Sequence, residues 1–358
     1  MKANKIICPI FLCLFVFQLL GTFSFAQSDS SQERFQKILR LKSLVDTLYQ
    51  DHYNNQNLPG LSYAVMVDEK IAFITGAGYQ NIQSKTKVSA NSVFRIASMT
   101  KSFTALAILK LRDEGKLKLD DASRLYVPEM MDWKHRLSSS PITIRQLLTH
   151  MAGFPEDNPW GDRQLSRSEA ELSALLISQP AMSNAPGMEF EYSNLGYALL
   201  GRIIKNISGQ SYQEYISNQI LNPLGMHQTY WEVNNVPANQ LAQGYRRSGT
   251  VYHKEPILPD GSFASMGGML TTMVDFVKYM QLHMQAWSGG EDSTLFVLKS
   301  TLREMHMPHT ISGLNTGFQL LSNNTCALVA GYSYGLSWWK DCSNKNYAGH
   351  SGGLPGYG

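Results

Sequence analysis

Cysteine is scarce in this chain: four residues in 358, at Cys8, Cys13, Cys326 and Cys342. No metal-ligand spacing, glycine-rich phosphate loop, internal repeat or low-complexity tract occurs, so the sequence points to no metal and no cofactor. Positive charge is equally thin. The formal net charge is +3, and Lys2 and Lys5 carry two of those charges, leaving 3 − 2 = +1 on the rest, which argues against nucleic acid as a partner. The N-terminal apolar run from Ile6 to Leu20 is short for a membrane span, and no stop-transfer flank follows it. With Lys2 and Lys5 before it and Ser24-Phe25-Ala26 after it, residues 1–26 read as a secretory signal cleaved after Ala26. The expected product is periplasmic or secreted, without a stable membrane anchor, and the lack of a cysteine after Ala26 disfavours a lipid anchor. Cys8 and Cys13 leave with the signal. Cys326 and Cys342 remain, and export leaves a disulfide between them and two free thiols as open alternatives.

What is present is three short motifs in fixed order: Ser98-Met99-Thr100-Lys101, Tyr192-Ser193-Asn194 and His350-Ser351-Gly352. None is specific alone. Ser84-Lys85-Thr86-Lys87 repeats the first pattern and Tyr53-Asn54-Asn55 the second. Context separates them. Ser98 follows the apolar run Val93 to Ala97 and opens a stretch from Phe103 to Leu111 that is apolar on nearly every face, with Gly115 placed to end it. This predicts a buried helix with Ser98 at its N-terminus and Lys101 one turn on, where i and i+3 side chains share a face. Burial and the positive helix end both disfavour an ammonium, so Lys101 is a candidate base for the Ser98 hydroxyl. The alternative is a helix cap followed by a surface lysine. Ser84, in a polar stretch between strand-like segments, reads as a solvated turn, and Tyr53 as Asn/Gln-rich coil.

Tyr192 and Asn194 precede a helical pattern from Leu195 to Ile207 closed by Gly209. A loop leading into a helix can point side chains into a cleft. An ammonium near Tyr192 would favour its phenolate and allow proton transfer, while Asn194 offers a donor and an acceptor for Lys101 or a substrate amide. The alternatives are a helix cap at Asn194 and a boundary aromatic at Tyr192. The third motif lies in Tyr347 to Gly353, a strand-like run after Trp338-Trp339. Its glycines admit close backbone approach, its edge suits an extended peptide-like substrate, and its amides suit an oxyanion. His350 adds a titratable group.

Gly349-His350-Ser351-Gly352-Gly353 and Gly331-Tyr332-Ser333-Tyr334-Gly335 both fit G-x-S-x-G. That elbow needs strand, turn and helix, then an acid and a histidine downstream. Seven residues follow Ser351, with neither Asp nor His among them, and the Tyr/Trp-rich surroundings of Ser333 predict a hairpin. Both are rejected.

With these residues in view, the chain resembles the serine β-lactamase and penicillin-binding-protein superfamily, in the class C-like branch of DD-peptidases, esterases and class C β-lactamases. The resemblance runs from about Leu61 to Gly358 and includes Phe94 to Lys101, Leu147 to Phe154, Pro186-Gly187 and Gly267 to Thr272. It implies Ser98 as the acylated nucleophile, Lys101 and Tyr192 as a coupled proton-transfer pair, and Asn194 as a substrate-orienting residue. His350, Ser351 and Gly352 would line the far wall, and the amides of Ser98 and Gly353 would form an oxyanion hole. His150 falls in a family-typical segment and is expected to be structural. One departure matters: class C β-lactamases carry Lys-Thr-Gly where this chain has His-Ser-Gly. A lysine there attracts a carboxylate at ordinary pH, whereas His350 does so only when protonated. The expected function is therefore acyl transfer from a peptide, ester or other small-molecule substrate, with a β-lactamase, an esterase and an inactive β-lactam-binding homologue as alternatives.

The implied fold is α+β and β-lactamase/transpeptidase-like: an antiparallel sheet flanked by helices, with a mostly helical insertion lobe over residues 98–245. Strands are expected at Leu61–Val67 and Ile71–Thr75, a capping box at Ser168-x-x-Glu171, and a helix near Thr272–Met284. Strands are expected again from Tyr332. Residues 27–358 form one hydrolase domain, expected to act as a monomer. Relatives continue past this point through further strands and a helix, so the domain is expected to be truncated at Gly358, with unpaired sheet edges, an uncovered apolar face and poor folding if nothing follows.

Overall fold

A computed structural model describes residues 30–133, 140–158, 160–319 and 325–358, with the side chains of 316–319 and 325–326 not described. The expected signal, residues 1–26, lies outside the described residues.

Helix α1 (Lys42–Gln56) leads into the hairpin of β1 (Gly60–Val67) and β2 (Lys70–Asn81), which turns at Asp68-Glu69 with φ of 47° and 67°. Positive φ at both turn residues matches the strand twist of a tight hairpin. Tyr53, expected in coil, lies inside α1. The polar run is the outer surface of a helix fixed by tertiary contacts: Tyr49 stacks on Tyr63 with centroids 3.9 Å apart, and Tyr63 donates to Asp46 at 2.7 Å. Ser84 sits in the exposed turn before β3 (Thr86–Lys87), as its polar neighbours indicate.

After β4 (Phe94–Arg95), a 3₁₀ turn at Ala97–Met99 carries the chain into α2 (Thr100–Asp113). Residues 100–109 and Leu111 of α2 are all buried, and Gly115, at φ +73°, follows its end. Helices then dominate. They are α3 (Ile144–Leu148), α4 (Glu169–Ile177), α5 (Asn194–Ser208) and α6 (Tyr212–Ile216). Capping boxes start α3 (Thr143 with Gln146), α4 (Ser168 with Glu171) and α6 (Ser211 with Glu214). Short strands β5 (Thr229–Tyr230), β6 (Tyr245–Ser248) and β7 (Val251–Lys254) come next, then α7 (Ala264–Gly267), β8 (Leu270–Thr271), α8 (Met273–Gln285) and α9 (Lys299–Met305).

The core is centred where α2, α5 and α7 meet. Phe103, Leu106, Ile108, Tyr197, Leu199 and Ile203 are completely buried there, each such aliphatic side chain contributing about 1.5–3 kcal/mol relative to exposure. Thr104 and Ser265 bond across these helices: Thr104 donates to the Ser265 carbonyl at 2.7 Å and Ser265 to the Tyr197 carbonyl at 2.8 Å.

The chain closes with a meander of β9 (Thr310–Gln319), β10 (Thr325–Tyr332), β11 (Ser337–Lys340) and β12 (Asn346–Gly349), all antiparallel. Strands therefore return at Thr310, earlier than the sequence indicated. Tyr332 pairs with Ser337 across the β10–β11 turn, and the buried Ser333 hydroxyl donates to the Glu304 and Met307 carbonyls, which fits the rejection of that serine as a nucleophile. Cys342 is disulfide-bonded, which removes the free-thiol alternative for it; the side chain of Cys326 lies outside the described side chains. Among the described residues β1 and β12 are end strands of separate sheets. A cavity of about 600 Å³ lies between them, lined by Met66, Phe276, Tyr279, Met280, Leu336 and Ala348 among others.

Candidate active site

Three segments distant in sequence converge on the start of α2. β4 pairs with β8, which fixes the approach, and Ile96 donates its backbone N–H to the Met269 carbonyl at 3.2 Å. Ala97, immediately before Ser98, has φ +47° in a residue that carries a Cβ. Such a conformation costs energy and persists only where the surroundings impose it. It turns the half-buried Ser98 out of the strand and onto the helix end.

Lys101 is completely buried one turn below. Its ammonium has three donors, and all three are used: Ser98 Oγ at 3.0 Å, Asn194 Oδ1 at 2.7 Å and the Met266 carbonyl at 2.7 Å. The last two acceptors have no proton to return, so the lone pair of a neutral Lys101 can face only Ser98. Burial pushes the Lys101 amine down to about 7, opposed by the charges of Asp157 and Asp162. The surface-lysine alternative for the first motif is thereby removed.

Tyr192 is half-buried, and its phenol interacts with the Ser98 side chain. Its phenol is pushed up by that burial, and by Asp157, Asp162 and Glu156. The phenolate-favouring effect expected from Lys101 does not prevail: Nζ lies over the ring face, 5.0 Å from the centroid, while desolvation acts on the hydroxyl itself. Asn194 is the first residue of α5, and its cap is Ser193, not Asn194. Its amide is free for Lys101 on one side, and on the other Nδ2 donates to Asn158 Oδ1 at 2.6 Å.

His150 is buried and structural. Its Nδ1 accepts from the Ser193 N–H at 3.1 Å, and its ring lies 4.2 Å from that of Tyr192, so it seats the second motif rather than reaching Ser98.

His350 follows β12 directly. Its Nδ1 is bonded to the Ser351 carbonyl, which can only accept, so Nδ1 carries the proton. Nε2, 3.0 Å from the Tyr332 hydroxyl, then accepts from it. Burial pushes the imidazole down to about 4, with Lys101 adding to the effect. The group is neutral at physiological pH and both ring nitrogens are committed to the protein.

Ser351, Gly352 and Gly353 carry the backbone past Ser98. A Cβ on Gly352 would lie 2.2 Å from the Ile96 carbonyl oxygen. Glycine is required because two backbones touch there. Gly352→Ala is accordingly expected to displace the Ile96–Ser98 turn and lower turnover by about 100-fold, the scale of an ångström of misplacement. Steady-state kinetics beside a thermal melt checks this; wild-type kinetics would show that the contact is slack.

The Met266 carbonyl, Asp157, Asn158 and Tyr332 are the participants that sequence reasoning missed. The chain contains no spacing that marks them.

With this geometry in place, comparison with known proteins is informative. The profile of the Beta-lactamase family matches residues 43–358. The chain belongs to the Beta-lactamase family. Members of this family are serine hydrolases, and the fold is β-lactamase/transpeptidase-like. The chain is 37% identical over 207 residues to Protein flp of Staphylococcus aureus strain NCTC 8325 / PS 47, a match covering 58% of this chain and 41% of that protein. It is 27% identical over 331 residues to Beta-lactamase-like protein 4 of Dictyostelium discoideum, covering 87% of this chain and 57% of the other. The chain thus spans well under two thirds of these relatives. Among solved structures it resembles the octameric penicillin-binding protein homologue from Pyrococcus abyssi, with TM-score 0.70, 27% identity, and 87% and 68% of the two chains covered. It also shares its fold with EstCE1, a hydrolase with promiscuous acyltransferase activity, at TM-score 0.66 and 18% identity over 86% and 92% of the chains.

Proposed function

We propose that this Beta-lactamase family member is an exported serine hydrolase that acylates Ser98 with the acyl group of a peptide or ester. The observation that carries this reading is the Lys101 amine, 3.0 Å from Ser98 Oγ with its other acceptors fixed. In the forward step neutral Lys101 takes the Ser98 proton as Oγ bonds to the substrate carbonyl carbon. The carbonyl electron pair moves to oxygen, which the amides of Ser98 and Gly353 receive. The pair returns, the bond to the leaving alcohol or amine breaks, and the proton from Lys101 passes to that group, with the protonated Tyr192 phenol able to hand it on. Water then attacks the Ser98 ester with Lys101 again accepting the proton, and Ser98 is restored.

His350 narrows the substrate. It becomes cationic only below about pH 4, where Lys101 is already protonated and cannot act as base. An anion anchor at the third motif and a competent base therefore do not coexist, which favours acyl donors lacking a carboxylate over β-lactams. His350→Lys is expected to raise acylation by penicillin about 10-fold or more relative to a neutral p-nitrophenyl ester, the scale of one charge-assisted hydrogen bond. No change in that ratio would remove His350 as the determinant.

The function itself is tested with a labelled penicillin, a chromogenic cephalosporin and a short-chain p-nitrophenyl ester, following mass and turnover. Ester turnover that depends on Ser98, with slow β-lactam release, supports the reading. Rapid cephalosporin turnover makes the protein a β-lactamase instead. No adduct and no turnover from folded protein leaves an inactive homologue.

A further inference from the structure

Asp157 lies in the loop after α3, far from every motif in sequence, yet it holds the start of α5. One carboxylate oxygen accepts the Asn194 N–H at 2.7 Å; the other accepts the Leu195 N–H at 2.9 Å and the Ser193 hydroxyl at 3.2 Å. Those N–H groups are among the unpaired donors of a helix N-terminus, where negative charge is favoured. The Ser193 hydroxyl's own bond to the Gly196 N–H, at 3.4 Å, is long, so Asp157 provides the shorter bonds at this helix start. Its neighbour Asn158 fixes the Asn194 amide by accepting from Nδ2 at 2.6 Å. That bond decides which end of the amide faces Lys101, and only the oxygen end can accept the ammonium. The same loop closes over Asn194 at Gly161, where a Cβ would lie 2.6 Å from the Asn194 amide nitrogen.

We infer that Asp157 is the positioning residue of this site: its carboxylate seats Asn194 against the Lys101 amine and sets a negative charge beside this buried group. The inference rests on the acyl-enzyme reading for its kinetic consequence, though not for its structural one. The groups facing Lys101 are Asp157 and Asp162 from the loop, His150 from the end of α3, His350 from the third motif, and the rings of Tyr192 and Tyr197 at 5.0 and 5.5 Å. Both histidines are held neutral by burial, so the two aspartates are the anions in this set. Asp157 differs from Asp162 in being bonded to α5 as well.

The test compares wild type, Asp157→Asn, Asp157→Glu and Asp162→Asn by two readouts. The first is the NMR titration of the Lys101 side chain in protein labelled with ¹³C-lysine, which needs no turnover. The second is the pH profile of p-nitrophenyl ester hydrolysis. Asp157→Asn is expected to lower the Lys101 midpoint by about one pH unit, the low end for removing a nearby opposite charge. It is also expected to lower the high-pH rate plateau at least 10-fold, because Asn194 loses its seat. Asp157→Glu should return the midpoint toward wild type, and Asp162→Asn should move the midpoint while leaving the plateau near wild type. A lower plateau with an unmoved midpoint in Asp157→Asn would make Asp157 merely structural and overturn the inference. So would an unmoved plateau with an unmoved midpoint. A wild type that titrates as described yet hydrolyses no ester would defeat the acyl-enzyme reading and leave the positioning role standing on the NMR result.

Discussion

Ser98→Ala is expected to lower ester turnover by at least about 10⁴-fold, with the melting temperature within a few degrees of wild type. Removing a nucleophile from a built site is among the largest single effects known, because the groups left behind have nothing to activate. Here the surroundings should survive. Ser98 is half-buried at a 3₁₀ turn and contributes one of three acceptors to Lys101, while Asn194 Oδ1 and the Met266 carbonyl hold the other two. In the variant the amine keeps those bonds and turns its third donor toward cleft water, so no buried partner is stranded. Mass spectrometry should show the acyl adduct in wild type and none in the variant. Turnover in Ser98→Ala within 100-fold of wild type would mean the ester is cleaved elsewhere. Ser333 is a poor substitute, because its hydroxyl donates to two backbone carbonyls inside the fold.

The parts of this site legible in the sequence were those whose chemistry is local. An i, i+3 pair at a helix start is fixed by 3.6 residues per turn, so Ser98 and Lys101 could be placed together before any tertiary structure was known. The cap and closing glycine of α5 were equally local, which located Tyr192 and Asn194 at a helix start though not which residue caps it. Family resemblance then brought the three segments together. What could not be read was set by packing across the chain. Asp157 reaches Asn194 over 37 positions, and the Met266 carbonyl reaches Lys101 over 165. A backbone carbonyl has no side-chain signature at all. The direction of the Tyr192 shift is not legible for the same reason: the sequence places a cation nearby, but only the structure shows that cation over the ring face while burial acts on the hydroxyl. Tyr53 failed in the opposite sense, where polar composition suggested coil and the Tyr49–Tyr63 stack made a helix.

Lys101→Met is expected to reduce ester turnover by about 10²–10⁴-fold, the usual contribution of a positioned general base, and to abolish the acid limb of the pH profile. In wild type the amine acts only when neutral. With its pKa near 7, the rate should rise tenfold per pH unit up to that point and level off above it. Methionine has no proton to gain, so the residual rate of the variant should lack this step. Stability supplies an independent check. The folded-state pKa of about 7 lies below the unfolded lysine value of about 10.4, so between those pH values the unfolded chain binds a proton that the folded protein does not. The contribution of Lys101 is therefore complete above the unfolded value and declines as pH falls toward 7, by on the order of 1.4 kcal/mol per pH unit. Methionine removes that slope while leaving Asn194 Oδ1 and the Met266 carbonyl unpaired, at a cost of about 1–3 kcal/mol each that does not depend on pH. Urea unfolding at pH 7 and pH 9 separates the two. Wild type should gain stability relative to Lys101→Met over that interval, whatever the offset between them. A constant difference from pH 7 to pH 9, with the acid limb retained in the variant, would mean Lys101 stays an ammonium throughout, and the base that activates Ser98 would have to be sought elsewhere in the cleft.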